Sequence, residues 1–190
     1  MATTNVMMVG VGGQGSLLAS KIMGNMLVNS GFDVKVSEVH GMAQRGGSVV
    51  TYIRYGDKVF SPVVDQGSAD VILAFELLEA MRWSPWLKKE GKMIVNTQNI
   101  KPMPVLTGAA KYPEEILDKI RTRGISLKDI DALSLAEKAG MVKAVNVVLL
   151  GVLSKNLDIS VDKWIDAMRE IVNPRFVEAN IRAFELGRAY

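Results

Sequence analysis

The sequence predicts an α/β fold, a Rossmann-like open and mostly parallel sheet with helices on both faces and a helical C-terminal third. Three observations lead there. The apolar run Val6–Val9 breaks into a glycine cluster and then into an apolar-periodic, proline-free segment, as a strand turning into a helix does. Short β-branched runs then alternate with helical patterns through the first two thirds of the chain, the signature of a parallel sheet covered on both sides. Helical patterns dominate the remainder.

Taken in order, Val6–Val9 reads as a buried strand and Ser16–Asn29 as a helix stopped near Ser30-Gly31. Phe32–Glu38 (FDVKVSE) alternates like a second strand. HGMAQRGG is too rich in glycine for either element, and SVVTYIR returns to strand period. Tyr55-Gly56-Asp57-Lys58 carries turn chemistry, after which VFSPVV is expected as an edge strand, because Pro62 cannot donate to a ladder. Asp70–Phe75 (DVILAF) has the composition of a central parallel strand. ELLEAMRWSPWLKKEG is expected as a helix with Gly91 as its stop, followed by the strand KMIVNT. QNIKPMPVLTGAAKYP, with three prolines and a glycine, is expected as a loop. PEEILDKIRTRG reads as a helix with proline in its first turn and glycine past its end. ISLKDIDA is a further strand candidate, and LSLAEKAG and MVKAVNVVLLGVLSKNL are helical. SVDKWIDAMREIV opens on a serine N-cap candidate. In PRFVEANIRAFELGRAY, Val177, Ile181 and Phe184 recur at helical spacing and mark a buried face.

No linker, repeat or low-complexity tract interrupts these patterns, so residues 1–190 are expected to form a single domain with one full core. The net charge of +3 is small and no basic stripe interleaves with aromatics, which argues against nucleic acid as a partner. Zero cysteines removes disulfides, thiolate zinc sites, a cysteine nucleophile and cysteine-held iron–sulfur clusters from this chain. The N-terminus lacks the marks of a secretory signal, and the apolar runs are too short for a membrane span. The expected location is the cytoplasm, and no metal site is expected.

Two segments carry the chemistry. Gly10-Val11-Gly12-Gly13-Gln14-Gly15 satisfies G-x-G-x-x-G between a strand and a helix. Its freed N–H groups and the helix end at Ser16 favour a phosphate or carboxylate. Glu38 lies where dinucleotide folds place an acid on a ribose hydroxyl. Gly10, Gly12, Gly13, Gln14, Gly15 and Glu38 are therefore the candidate cofactor-binding residues. Alternatively, the glycines serve only a tight turn packed against another chain, with Glu38 paired to Arg45 or Arg54. The second segment, Ser37–Ser48, gathers the only histidine, a carboxylate, an amide, a guanidinium and three glycines after the second strand. Open α/β sheets bind ligands at that edge. Arg45, flanked by glycine, can fork onto a carboxylate or phosphate.

Quoted together, GVGGQGSLLASKIM and SEVHGMAQRGGSV closely resemble the gamma-type domain of the 2-oxoacid:ferredoxin oxidoreductases, the pyruvate/2-ketoisovalerate family, and within it the indolepyruvate type. The similarity continues through ADVILAFELLEAMR, PMPVLTGAAKYP, KAVNVVLLGVL and NIRAFELG, nearly the whole chain. The resemblance implies one subunit of an enzyme that oxidatively decarboxylates a 2-oxoacid to an acyl-coenzyme A and passes electrons to ferredoxin. It implies that thiamine diphosphate, its magnesium ion and the iron–sulfur clusters reside on a larger alpha subunit, with coenzyme A as co-substrate. This chain agrees, since it has no cysteine and no GDG…N segment of the thiamine enzymes. No cofactor is expected on this chain alone. His40, Gln44 and Arg45 become candidates for an active site completed at the subunit interface. Trp83, Trp86 and Met81, and the PMPVL loop, are candidate docking patches, with ordinary core the favoured reading for Met81. Such a face would also let the isolated chain self-associate. The competing readings are a free-standing NAD- or FAD-dependent Rossmann oxidoreductase and a non-catalytic scaffold subunit.

Overall fold

The computed structural model describes residues 3–41 and 46–190. Six strands form one sheet: β1 (Thr4–Val11), β2 (Asp33–His40), β3 (Ser48–Gly56), β4 (Ala69–Ala74), β5 (Leu87–Asn96) and β6 (Ser126–Ile130), in the order β2-β3-β1-β4-β5-β6. Helix α1 (Ser16–Asn29) joins β1 to β2, and α2 (Leu77–Trp83) joins β4 to β5. The short α3 (Met103–Leu106) and α4 (Ile116–Arg121) lie between β5 and β6. Then come α5 (Ala132–Lys138), α6 (Val145–Ser154), α7 (Val161–Ile171) and α8 (Val177–Ala189).

Strands β1, β4, β5 and β6 pair in parallel, whereas β3 pairs antiparallel with both β1 and β2. Only β3 is reversed, so the sheet is mostly parallel, as expected. Strands β1 and β4 and the second half of β5 are apolar on both faces, and each face holds its own core. Val6, Met8, Leu73 and Ile94 pack under α1 and α5–α8, while Met7, Val9, Ile72 and Met93 pack under α2 and α4. Helix α1 turns Ala19, Ile22, Met23, Met26 and Leu27 inward, a helical stripe on the first of these cores. Val177, Ile181 and Phe184 of α8 are buried, as their spacing predicts. Among the described residues, no helix is long and apolar enough to cross a membrane.

Several local expectations are corrected. VFSPVV forms no strand, because its backbone groups are engaged by side chains: Asp33 accepts the Val59 N–H, and Arg54 donates to the carbonyls of Ser61 and Val63. The helix expected over ELLEAMRWSPWLKKEG ends at Trp83. After a 3-10 turn through Ser84–Trp86, LKKEG is already β5, paired with β4 across a register shift. Gly91 is thus no helix stop. A Cβ there would lie 2.9 Å from the Ala69 carbonyl, so glycine permits the bulged strand to close on β4. The QNIKPMPVLTGAAKYP segment contains the single turn α3. Helix α4 starts after Glu115 (φ 54°) rather than at Pro113. Ser160 occupies the N-cap of α7 without a side-chain hydrogen bond. Trp83 and Trp86 are half-buried, stacked edge to face at 4.7 Å, and packed with Met81 against the second core, so they form no free apolar patch. Met103 and Leu106 of the PMPVL segment are exposed.

Candidate functional site

All five co-directional strands end on one rim, and the reversed β3 begins there. That rim gathers the glycine bend after β1 and the segment between β2 and β3. The two touch: the Gly12 N–H donates to the Gly47 carbonyl at 2.9 Å, continuing the β1–β3 register that pairs Val11 with Ser48. Gly15 sits in the left-handed region (φ 79°), and a Cβ there would lie 2.8 Å from Asn146 Nδ2. Any L-residue would be both strained and crowded. Asn146, buried at the start of α6, donates from that Nδ2 to the Gly15 carbonyl at 3.0 Å. Gln14 turns back over the bend. Its Oε1 accepts the Val11 N–H at 2.9 Å, and its Nε2 donates to the Phe75 carbonyl and to Gln98 Oε1.

A depression of about 440 Å³ opens beside this bend. The glycines and the first turn of α1 form one wall, and Glu38, His40 and Val49 form the other. Glu38 is half-buried and its Oε2 accepts the Thr51 hydroxyl at 3.1 Å, directly across the β2–β3 register. His40 is exposed, with Nδ1 3.3 Å from the Gly41 carbonyl. Helix α1 has no side-chain cap, so its N-terminus offers backbone N–H groups and the positive end of its dipole to this space. On the opposite side of Gly12 and Gly13, a second depression of about 400 Å³ is lined by Gln14, Gln98, Ile100, Leu133, Val142 and Lys143. The bend is a ridge between the two.

The structure therefore brings Gly10, Gly12, Gly13, Gln14, Gly15, Glu38 and His40 to one rim. Gln44 and Arg45 lie outside the described residues. Arg54 does not pair with Glu38; it bonds Asn5 Oδ1 and two carbonyls of the 57–68 segment. Two features differ from a dinucleotide fold. Strand β3 intervenes between β1 and β2, setting Glu38 two strand spacings, about 10 Å, from β1. The N–H groups of Val11 and Gly12 are consumed inside the protein. What remains is the uncapped N-terminus of α1, flanked by the Glu38 carboxylate and the His40 imidazole. Among the described residues, no group of three or more His, Asp or Glu side chains could hold a metal ion.

Sequence reasoning missed the two buried carboxylates beneath the rim. Glu76 is 1% exposed; it caps α2 by accepting the Glu79 N–H at 3.0 Å, and it also accepts the Ile100 N–H and the Tyr112 hydroxyl. Burial and then the bond to Glu76 hold the Tyr112 phenol well above its ordinary value. Glu79, 3% exposed, accepts the Ser48 hydroxyl at 2.5 Å and the Trp83 indole N–H at 3.2 Å. The available signal was E-x-x-E directly after an apolar strand, the spacing of a reciprocal cap.

Comparison with known proteins agrees over the full length of the fold. The family model for pyruvate ferredoxin/flavodoxin oxidoreductase matches residues 5–190. The chain is 41% identical over 194 aligned residues to the indolepyruvate oxidoreductase subunit IorB of Thermococcus kodakarensis, covering 98% of this chain and 95% of that one. It is 40% identical to the subunit of the same name from Archaeoglobus fulgidus, covering 96% and 92%. The crystal structure of pyruvate oxidoreductase subunit PORC from Thermotoga maritima superposes with a TM-score of 0.76 at 19% identity, covering 100% of this chain and 97% of that one, and shows the same fold.

Proposed function

Because the chain belongs to the pyruvate ferredoxin/flavodoxin oxidoreductase family and is a subunit of a 2-oxoacid:ferredoxin oxidoreductase, we propose that its rim completes the active site of a larger partner subunit. The substrate is indolepyruvate or a related aryl pyruvate, in keeping with the names of its 40–41% identical relatives. The complex converts that oxoacid to an acyl-coenzyme A with electrons delivered to ferredoxin. Thiamine diphosphate with magnesium supplies the carbon nucleophile for decarboxylation, and iron–sulfur clusters carry the electrons. Both belong to the partner alpha subunit, since cluster ligation needs cysteines and diphosphate binding a GDG…N segment, and this chain has neither.

The observation that carries the reading is the Gly12–Gly47 hydrogen bond, which joins the two glycine bends into one polar lip beside the 440 Å³ depression. The N-terminus of α1 binds an anionic group, the oxoacid carboxylate or a phosphate of coenzyme A. Glu38 and His40 offer an acceptor and a hydrogen-bonding imidazole next to it, and Gln44 and Arg45 are assigned a role in the same active site on their chemistry, an amide and a guanidinium. Gln14 has a different role, because its amide is spent on the bend itself. Residues 1–190 act as one catalytic domain in the cytoplasm. Without its partner, the chain buries its exposed apolar side chains by self-association.

The test is co-expression with the larger cysteine-rich subunit, followed by viologen reduction with indolepyruvate, thiamine diphosphate and coenzyme A. Turnover that requires both chains and falls at least tenfold in His40→Ala and Arg45→Ala supports the proposal. Parent-like turnover in both variants within an intact complex removes the rim from the active site.

A further inference from the structure

Helix α2 begins on the rim with two carboxylates one turn apart, Glu76 and Glu79, only 1% and 3% exposed. A buried carboxylate is costly unless hydrogen-bonded, and an apolar side chain would serve the core better. Neither carboxylate lines the depression beside the glycine bend. Each accepts one hydrogen bond from a chain segment that flanks that bend, on opposite sides.

On the β3 side, Glu79 Oε2 accepts the Ser48 hydroxyl at 2.5 Å. The preceding residue, Gly47, is the one whose carbonyl receives the Gly12 N–H at 2.9 Å. Glu79 therefore fixes the residue next to the only described backbone bond between the two glycine bends. The Trp83 indole N–H and the Arg82 guanidinium hold this carboxylate in place, at 3.2 Å and 3.5 Å. On the β5 side, Glu76 accepts the Ile100 N–H at 3.1 Å and the Tyr112 hydroxyl. This pins the irregular segment that follows Gln98. Gln98 in turn accepts the Gln14 amide through its side chain at 3.1 Å and the Leu77 N–H through its carbonyl at 3.1 Å.

We propose that Glu79 and Glu76 are positioning residues for the rim site: Glu79 sets the wall carried by β2 and β3, and Glu76 sets the wall carried by Gln14 and Gln98. Neither touches substrate. Each acts through a neighbour, Glu79 through Ser48 and Glu76 through the Ile100 backbone. The inference rests on the reading of the rim as the functional site, and it adds the residues that hold that rim in register.

Ser48→Ala is the cleanest probe, because it deletes one hydroxyl and leaves β3 intact. Glu79→Ala removes the anchor, and Glu79→Gln keeps its shape and one acceptor. Two readouts are needed: amide exchange of Gly12 in the full chain, and kcat and KM of the complex assembled with its partner. Ser48→Ala and Glu79→Ala should each speed Gly12 exchange by about tenfold or more, the worth of a hydrogen bond to a carboxylate. Each should lower kcat/KM by about tenfold, as misplacement of a site wall does. The double variant should be no worse than the more impaired single, and Glu79→Gln should restore most of the loss. Folded variants with parent-like Gly12 exchange and parent-like kcat/KM overturn the positioning role, as do additive losses in the double variant. Turnover lost in His40→Ala but kept in Ser48→Ala refutes positioning alone. Turnover kept in both refutes the rim reading itself, and the positioning role with it.

Discussion

Gly151 of α6 and Gly187 of α8 make the sharpest stability prediction. A Cβ on Gly187 would lie 2.0 Å from the Val148 carbonyl oxygen, and one on Gly151 would lie 2.1 Å from the Phe184 carbonyl oxygen. Ordinary contact begins near 3.4 Å, so a single methyl must drive the two helices apart by more than an ångström. The obstructing atoms are backbone and cannot rotate away. Helix α6 is buried from Asn146 to Ser154, so separation also opens gaps around its neighbours. Alanine gains about 1 kcal/mol of helix propensity over glycine. Overpacking a core costs about 1–3 kcal/mol, and a clash between two backbones belongs at the upper end or beyond. The net expectation for Gly187→Ala is a loss of about 2 kcal/mol, which for a chain of this size lowers Tm by about 4–8 °C. Thermal and urea unfolding followed by circular dichroism would measure it. The Gly151→Ala/Gly187→Ala double variant should cost less than the sum of the singles, because the first methyl has already parted the helices. A Gly187→Ala protein as stable as the parent, or more so, would refute the close crossing.

Asp131 caps α5 by accepting the Ser134 N–H at 3.1 Å and the Ser134 hydroxyl at 2.5 Å, and these bonds hold its carboxyl below the ordinary 3.8. Its contribution is therefore present above that value and lost as pH falls through the lower folded one. Asp131→Ala should cost about 1 kcal/mol at neutral pH, with the urea midpoints of the two proteins converging in strong acid. Tyr112→Phe leaves Glu76 one donor short and should cost about 1–3 kcal/mol in urea unfolding, a loss large enough to separate from a neutral surface change. Gly15→Ala combines left-handed strain of about 1–2 kcal/mol with a contact against Asn146, so it should lower Tm and turnover of the complex together.

The parts of the fold that were legible are those whose causes are local. Val6–Val9, the glycine bend and α1 follow from an apolar run, residues free to take positive φ, and an amphipathic stripe, all within one short stretch. LKKEG was misread because charged residues favour helix by propensity, whereas pairing with β4 across a register shift decides its state. Strand order was invisible for the same reason: nothing local says that β3 inserts beside β1 and displaces β2 to the edge. At the site, the meeting of the two glycine clusters was readable, because both follow strands at the same edge. The carboxylates under them were not. Glutamates in a helix ordinarily face water, and only the fold turns Glu76 and Glu79 inward against Ile100 and Ser48.

We propose that the rim bearing Gly12–Leu17 and Glu38–Gly41 is the face that a partner subunit closes. Amide hydrogen exchange of the chain, alone and in the assembled complex, tests it most directly. Strong protection on assembly is expected at Gly13, Ser16, Leu17 and the end of β2. Unchanged exchange there, with protection confined to the opposite rim around Ser30–Asp33 and Gly56–Phe60, would contradict it.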